Sequence, residues 1–179
     1  MVELAAAYQQ ALTGTAGLEL VPPRWLHLTV HGVGLLEEIS IRQVRSIADA
    51  VARELSLVGA QPATFDRWSV NHGVICLMPA STAVFNDVRG AVRAGMAEVL
   101  GATGLAEPVD GFEPHVSIAF VTADQPAAPV VERLSAVTAS PATHVVRSAD
   151  LLEMYRGADA YQWRRIATAE LGFPALGEQ

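Results

Sequence analysis

Lysine is absent from this sequence: all twelve basic residues among its 179 are arginine. That absence excludes a GK[ST] phosphate-binding loop, a Schiff-base or pyridoxal lysine, and nucleotidyl transfer through a lysyl intermediate. Cysteine occurs once, as Cys76 in "GVICLMP". A lone cysteine excludes an intramolecular disulfide and a thiolate-rich metal site, and it reads as a buried core thiol. No apolar run approaches the roughly 18 residues that a membrane span needs. The opening "MVELAAAYQQ" has no basic residue and lacks the order of a signal peptide, so a cytoplasmic protein is expected. Positive charge is scarce: nineteen acidic residues against twelve arginines give a net charge of −7. Such a chain is a poor partner for long polyanions, so long nucleic acid is not expected. A local site for a small or terminal phosphate stays open.

Apolar residues make up 51% of the chain, enough for a folded core. Residues 2 to 13 read as a helix. "RWLHLTVHG" (24 to 32) reads as a strand by its apolar and β-branched content. Residues 37 to 57 have helical periodicity in Ile41, Val44, Ile47, Ala48, Val51 and Leu55. Two strands follow at 63–70 and 73–79. A second long helix spans 81–101, with Ser81 as N-cap and Gly101 as the stop. The second half repeats the order: a strand at 114–121, a helix at 126–137, then strands at 143–157 and 161–172. The expectation is one bilobal α+β domain over 1–179. Each of its two pseudo-symmetric lobes has a small antiparallel sheet with outer helices, and a cleft lies between them. An acidic, compact domain of this kind is expected to be a monomer.

Two stretches carry chemistry. "LHLTV" places His27 two residues before Thr29, and "PHVSIAF" places His115 two residues before Ser117. Both separations between the halves are 88 residues. A strand alternates its side chains, so each pair presents an imidazole and a hydroxyl on one face. Two such pairs across a cleft suit phosphodiester cleavage. One neutral imidazole takes a proton from the attacking oxygen, and the other, protonated, gives one to the leaving oxygen. Histidine's ordinary pKa of about 6.5 serves both roles. The hydroxyls donate to the non-bridging oxygens as charge builds there. Nineteen Ser and Thr give any histidine about a one-in-nine chance of a hydroxyl at +2, so the weight lies in matched context rather than in either motif alone.

With "HLTV" (27 to 30) and "HVSI" (115 to 118), the chain resembles the 2H phosphoesterase superfamily. That group includes 2′-5′ RNA ligase-like proteins and cyclic nucleotide phosphodiesterases. "HGVG" follows the first motif where such proteins often have a short run ending in "LG". "FEP" precedes the second, and a proline before that histidine is typical. The resemblance runs from Trp25 to about Leu171. It implies two lobes with the motif strands lining a central cleft. It also implies chemistry that needs neither metal, ATP nor another cofactor, acting on 2′,3′-cyclic phosphates, 2′-5′ linkages or ADP-ribose cyclic phosphate. His27 and His115 would be the acid–base pair, with Thr29 and Ser117 on the phosphate. The substrate is then a small nucleotide or an RNA end.

Other residues have two readings each. His31 shares the parity of His27 and either faces the cleft or ends the strand. His72 reads as a turn residue, and His144 as a strand residue without chemistry. Gly32 and Gly34 resemble a phosphate-cradling fragment, but without a following helix N-terminus they read as letting the strand bend and exit. Tyr155, Arg156, Tyr161 and Trp163 flank the last hairpin, as cleft neighbours that stack on a base or pair with phosphate, or as core and surface residues. Arg164 and Arg165 cannot both face one way. Arg42, Arg45, Arg53, Arg89 and Arg93 read as a solvated helix face. Two further functions fit the same sequence. One is a module that binds a nucleotide or RNA terminus without catalysis. The other is an α+β domain whose paired motifs are coincidental.

Overall fold

A computed structural model describes residues 1–71, 73–156 and 161–173. His72 lies outside the described residues, and so do the side chains of Arg156 and Tyr161. Helix α1 (Val2–Leu12) is rich in alanine and leucine, good helix formers, and buries Leu4, Ala5, Tyr8 and Leu12. Strand β1 (Leu18–Leu20) follows; three residues are too few to show a period. Helix α2 (Ile41–Leu55) opens on a capping box. The Ser40 hydroxyl accepts the Gln43 N–H at 3.3 Å, and Gln43 Oε1 accepts the Ser40 N–H at 3.1 Å. Strands β2 (Gln61–Asn71) and β3 (Val74–Pro79) form a hairpin. Helix α3 (Ala83–Leu100) has Thr82 rather than Ser81 at its N-cap position, although the Ser81 hydroxyl accepts the Ala83 N–H. It ends at Gly101, whose φ of 75° suits glycine.

Strand β4 (Val116–Val121) and helix α4 (Ala127–Ser135) come next. The stretch 143–157, expected as one strand, is two: β5 (Ala142–Val146) and β6 (Ser148–Arg156), broken at Arg147. Strand β7 (Tyr161–Glu170) closes the hairpin with β6. The first sheet has the order β1-β4-β3-β2-β5, all antiparallel, and β6 and β7 form the second. The fold is thus α+β, built on two antiparallel sheets with helices outside, and the break at Arg147 is where the chain passes between them.

Residues 24–32 depart from expectation. Pro22 and Pro23 lack an N–H, and a single 3₁₀ turn spans Pro23–Trp25. Residues 26–34 form neither helix nor strand and pair with no strand among the described residues. The alternation still holds in its burial, since Leu26, Leu28 and Val30 pack on the core. The pattern reported which face is apolar, not what satisfies the backbone.

The two halves exchange partners. Strand β4, with the second motif, pairs with β3 of the first-half hairpin. The first motif follows Trp25, whose ring meets Trp163 of the second-half hairpin edge-on at 5.4 Å. One contiguous core joins both regions, from Leu4 and Leu12 through Phe65, Ile75 and Ile118 to Leu171. Helix α1 packs on β4 and α4 on β2. Helices α2 and α3 pack together so closely that a Cβ on Gly95 would sit 2.6 Å from the Val51 nitrogen.

Candidate functional site

Both motif histidines make the same local hydrogen bond. His27 Nδ1 lies 2.7 Å from the Trp25 carbonyl, and His115 Nδ1 lies 2.8 Å from the Glu113 carbonyl. Each partner is the carbonyl two residues earlier. A carbonyl only accepts, so Nδ1 carries the proton. In the neutral imidazole the lone pair then falls on Nε2, the nitrogen left for proton transfer. One geometry recurs in an unpaired segment and at the head of a strand, His115 standing one residue before β4.

The second motif contains a β-bulge. In the β3–β4 register Cys76 faces Ser117 and Ile75 faces Ala119, so Ile118 is the extra residue. Its carbonyl does not go unpaired. It accepts the Val21 N–H at 2.9 Å and the Gln9 side-chain amide at 2.8 Å. The same Gln9 amide donates to the Val21 carbonyl at 2.7 Å. Gln9 is buried on α1, and it ties the approach to the first motif to the middle of the second. The bulge also puts Ser117 and Phe120, three residues apart, beside one cavity of about 210 Å³, which His27 lines as well. Cys76 is buried, as expected of a core thiol. Burial pushes it up to about 11, with the Ser117 hydroxyl acting the other way.

The structure brings His27 and Ser117, one residue of each motif, to that cavity. Thr29 is exposed and lines a second, larger space of about 1370 Å³, together with His27 and Val116. His115 is half-buried and lines neither space, two positions before Ser117 in the chain.

Arg89 and Arg93 are not solvated, contrary to the sequence reading. Arg89 is buried, with 6% exposure, and donates to the Val30 carbonyl at 2.6 Å, Glu107 Oε2 at 3.0 Å and the Pro108 carbonyl at 2.8 Å. Its guanidinium lies over the Phe112 ring at 4.6 Å. Glu107 Oε1 in turn accepts the Gly32 N–H at 2.7 Å. A Cβ on Gly32 would sit 2.9 Å from that oxygen, so any larger residue would push the Glu107 carboxylate aside. Burial pushes the Glu107 carboxyl up, but the Gly32 N–H and the Arg89 guanidinium outweigh it and hold its pKa below the ordinary value. These side chains satisfy backbone groups of the first-motif segment that a neighbouring strand would otherwise pair. No motif marks them, since Glu107 lies 75 residues from Gly32 in the chain.

His31 belongs to this cluster, and it also lines the larger space together with His27 and Thr29. Its Nδ1 donates to the Gly32 carbonyl at 2.6 Å, and its Nε2 accepts from Arg93 at 2.8 Å. Both nitrogens are occupied, so it has no free site for proton transfer. Tyr155 is half-exposed and pairs with Gln162. It therefore faces away from Met154 and Trp163, which point toward the first motif. The expected cleft residues Arg156 and Tyr161 pair with each other across β6 and β7, their side chains outside the described residues. Arg164 pairs with Glu153 and Arg165 with Asp150 on the surface. Arg42 and Arg45 are exposed, and Arg53 bridges to Glu98 across α2 and α3. His144 is exposed on β5. Among the described residues no cluster of three or more His, Cys, Asp or Glu side chains is placed to hold a metal ion. No helix there is long and apolar enough to cross a membrane.

No curated protein matches the chain in sequence. Solved structures match in fold. TT0787 of Thermus thermophilus superposes with a TM-score of 0.73 at 19% identity, over 96% of this chain and 93% of that one. LigT of E. coli in its apo form gives 0.69 at 16% identity, over 96% and 90%. LigT complexed with 3′-AMP gives 0.67 at 15% identity, over 95% and 89%. These likenesses establish the architecture of LigT and related 2H phosphoesterases. A family model for the 2′-5′ RNA ligase superfamily matches residues 3–158, and the chain belongs to that superfamily.

Proposed function

We propose that the protein is a metal-independent phosphodiesterase acting on 2′,3′-cyclic phosphates or 2′-5′-linked nucleotides and RNA ends. The observation that carries this is the shared tautomer of His27 and His115, each pinned at Nδ1 by a carbonyl two residues earlier. For a cyclic phosphate, water attacks phosphorus as one neutral imidazole accepts its proton at Nε2. The other imidazole, protonated, donates its Nε2 proton to the 2′- or 3′-oxygen as the P–O bond breaks. The products are a phosphate monoester and a free hydroxyl, and the two histidines have exchanged protonation states. Thr29 and Ser117 donate hydrogen bonds to the non-bridging oxygens. LigT has been captured with 3′-AMP, ATP and NADP+, which supports a small-nucleotide ligand for this chain as well.

The test is incubation, with EDTA present, with the four 2′,3′-cyclic nucleotides, ADP-ribose cyclic phosphate and a short 2′-5′ oligoadenylate. Turnover of one or more supports the reading, and the product identifies the leaving oxygen. Saturable binding of these ligands without any product would instead support a non-catalytic nucleotide-binding module.

A further inference from the structure

We propose that the cavity beside His27 and Ser117 is a nucleobase pocket that selects guanine through Glu19. This rests on the phosphodiesterase reading for its substrate class. The cavity of about 210 Å³ is walled by Trp25, Phe120 and Met154, with Glu19 as its one carboxylate among the described residues. It is smaller than the roughly 300–1,000 Å³ of a site for a drug-sized ligand, so it takes one base and not a dinucleotide.

The walls and the carboxylate do different things. Aromatic faces stack on any base and supply affinity without choice. Glu19 supplies the choice. It is the direct cross-strand partner of Phe120 between β1 and β4, so their side chains share a face. It is half-buried, and its carboxylate has no hydrogen bond or ion pair among the described residues. An ionised carboxylate only accepts, through two parallel oxygens. Guanine is the one base whose pairing edge offers two adjacent N–H donors, N1–H and N2–H. Adenine and cytosine offer one amino group beside an accepting ring nitrogen. Uracil offers one N–H between two carbonyls. The ribose does not compete in a 2′,3′-cyclic substrate, because both of those oxygens are esterified. The same negative charge disfavours further phosphates in this cavity, in keeping with a mononucleotide or a terminal residue.

The experiment compares kcat/KM for 2′,3′-cyclic GMP, AMP, CMP and UMP, for wild type and for Glu19→Gln. Binding of the four 3′-monophosphates is measured in parallel by calorimetry. The expected result is a guanine preference of about tenfold or more that collapses in Glu19→Gln. Phe120→Ala should weaken all four ligands together and leave their ratio intact. Preference for another base, or a guanine preference that survives Glu19→Gln, overturns the proposal. If no cyclic nucleotide turns over but 3′-GMP binds best and loses that advantage in Glu19→Gln, the pocket stands and the catalytic reading falls. No binding and no turnover overturns both.

Discussion

The side-chain amide of Gln9 donates to the carbonyl of Ile118, the bulged residue of the second His-x-Ser motif, at 2.8 Å. One buried amide thereby joins α1, the approach to the first motif and the centre of the second. Gln9→Leu keeps the bulk and removes both donors. It leaves the Val21 carbonyl without that partner in a buried site, at an expected cost of about 1–3 kcal/mol. Gln9→Glu is expected to be worse at neutral pH, since a carboxylate would face two carbonyl oxygens. Urea midpoints of the three proteins check this, and identical midpoints would contradict it.

Glu107 is expected to act on catalysis through position alone. Glu107→Ala removes the acceptor for the Gly32 N–H and the charge beside Arg89, which frees the first-motif segment. A small displacement of reacting groups is enough for a kcat loss of about 10- to 100-fold. Glu107→Gln keeps the acceptor and should recover part of that loss. Steady-state kinetics with circular dichroism separate this from unfolding. Equal kcat in all three would remove the positioning role.

The lowered pKa of Glu107 has a signed consequence. Its carboxylate contributes stability above the ordinary carboxyl value of about 4.3, and that contribution is lost as pH falls through the lowered value. Acid titration should therefore destabilise wild type more than Glu107→Gln. Thermal melts between pH 6 and 3 give the comparison, and parallel curves would contradict it.

Cys76 runs in the opposite sense. Its thiol is held protonated, with a folded pKa of about 11 against an ordinary 9.0. Below the ordinary value its contribution to stability is whole. Between the two values the unfolded chain sheds the proton and the folded chain does not, so stability falls as pH rises. The loss is of order 2 kcal/mol for wild type relative to Cys76→Ala. The native thiol should also resist alkylation at pH 8 and react once the chain is unfolded in urea. Rapid native labelling would count against its burial.

Gly95 marks the closest approach of α2 and α3. Gly95→Ala places a methyl against the Val51 backbone, which has no side chain to swing aside. A cost of about 1–3 kcal/mol is expected, with Tm falling by about 2–4 °C for each kcal/mol. An unchanged Tm would mean that the helices separate without penalty.

Much of this was legible in the chain. The two long helices announce themselves, one by its period within 37–57 and the other by Gly101 as its stop, and β4 by its apolar run. The two motifs were visible because strand alternation turns a spacing of two into a shared face. What stayed hidden was long-range. The break at Arg147 depends on which sheet each side joins, and no local signal encodes that. The roles of Arg89 and Glu107 depend on backbone groups of Val30 and Gly32, left open where no strand pairs, and that of Arg93 on the His31 ring and the Glu107 carbonyl. A solvated arginine and a buried one look alike until their acceptors are known. The same holds for His31, whose parity with His27 was legible while its hydrogen bonds to Gly32 and Arg93 were not.

The central claim is that His27 and His115 are the proton-transfer pair. Its most direct measurement is the single-turnover rate of wild type, His27→Gln and His115→Gln on the best substrate of the panel, with EDTA present. The account predicts that each variant loses about 10²- to 10⁴-fold in rate while product affinity stays near the wild-type value. A variant that keeps the wild-type rate would contradict it, and would remove that histidine from the chemistry.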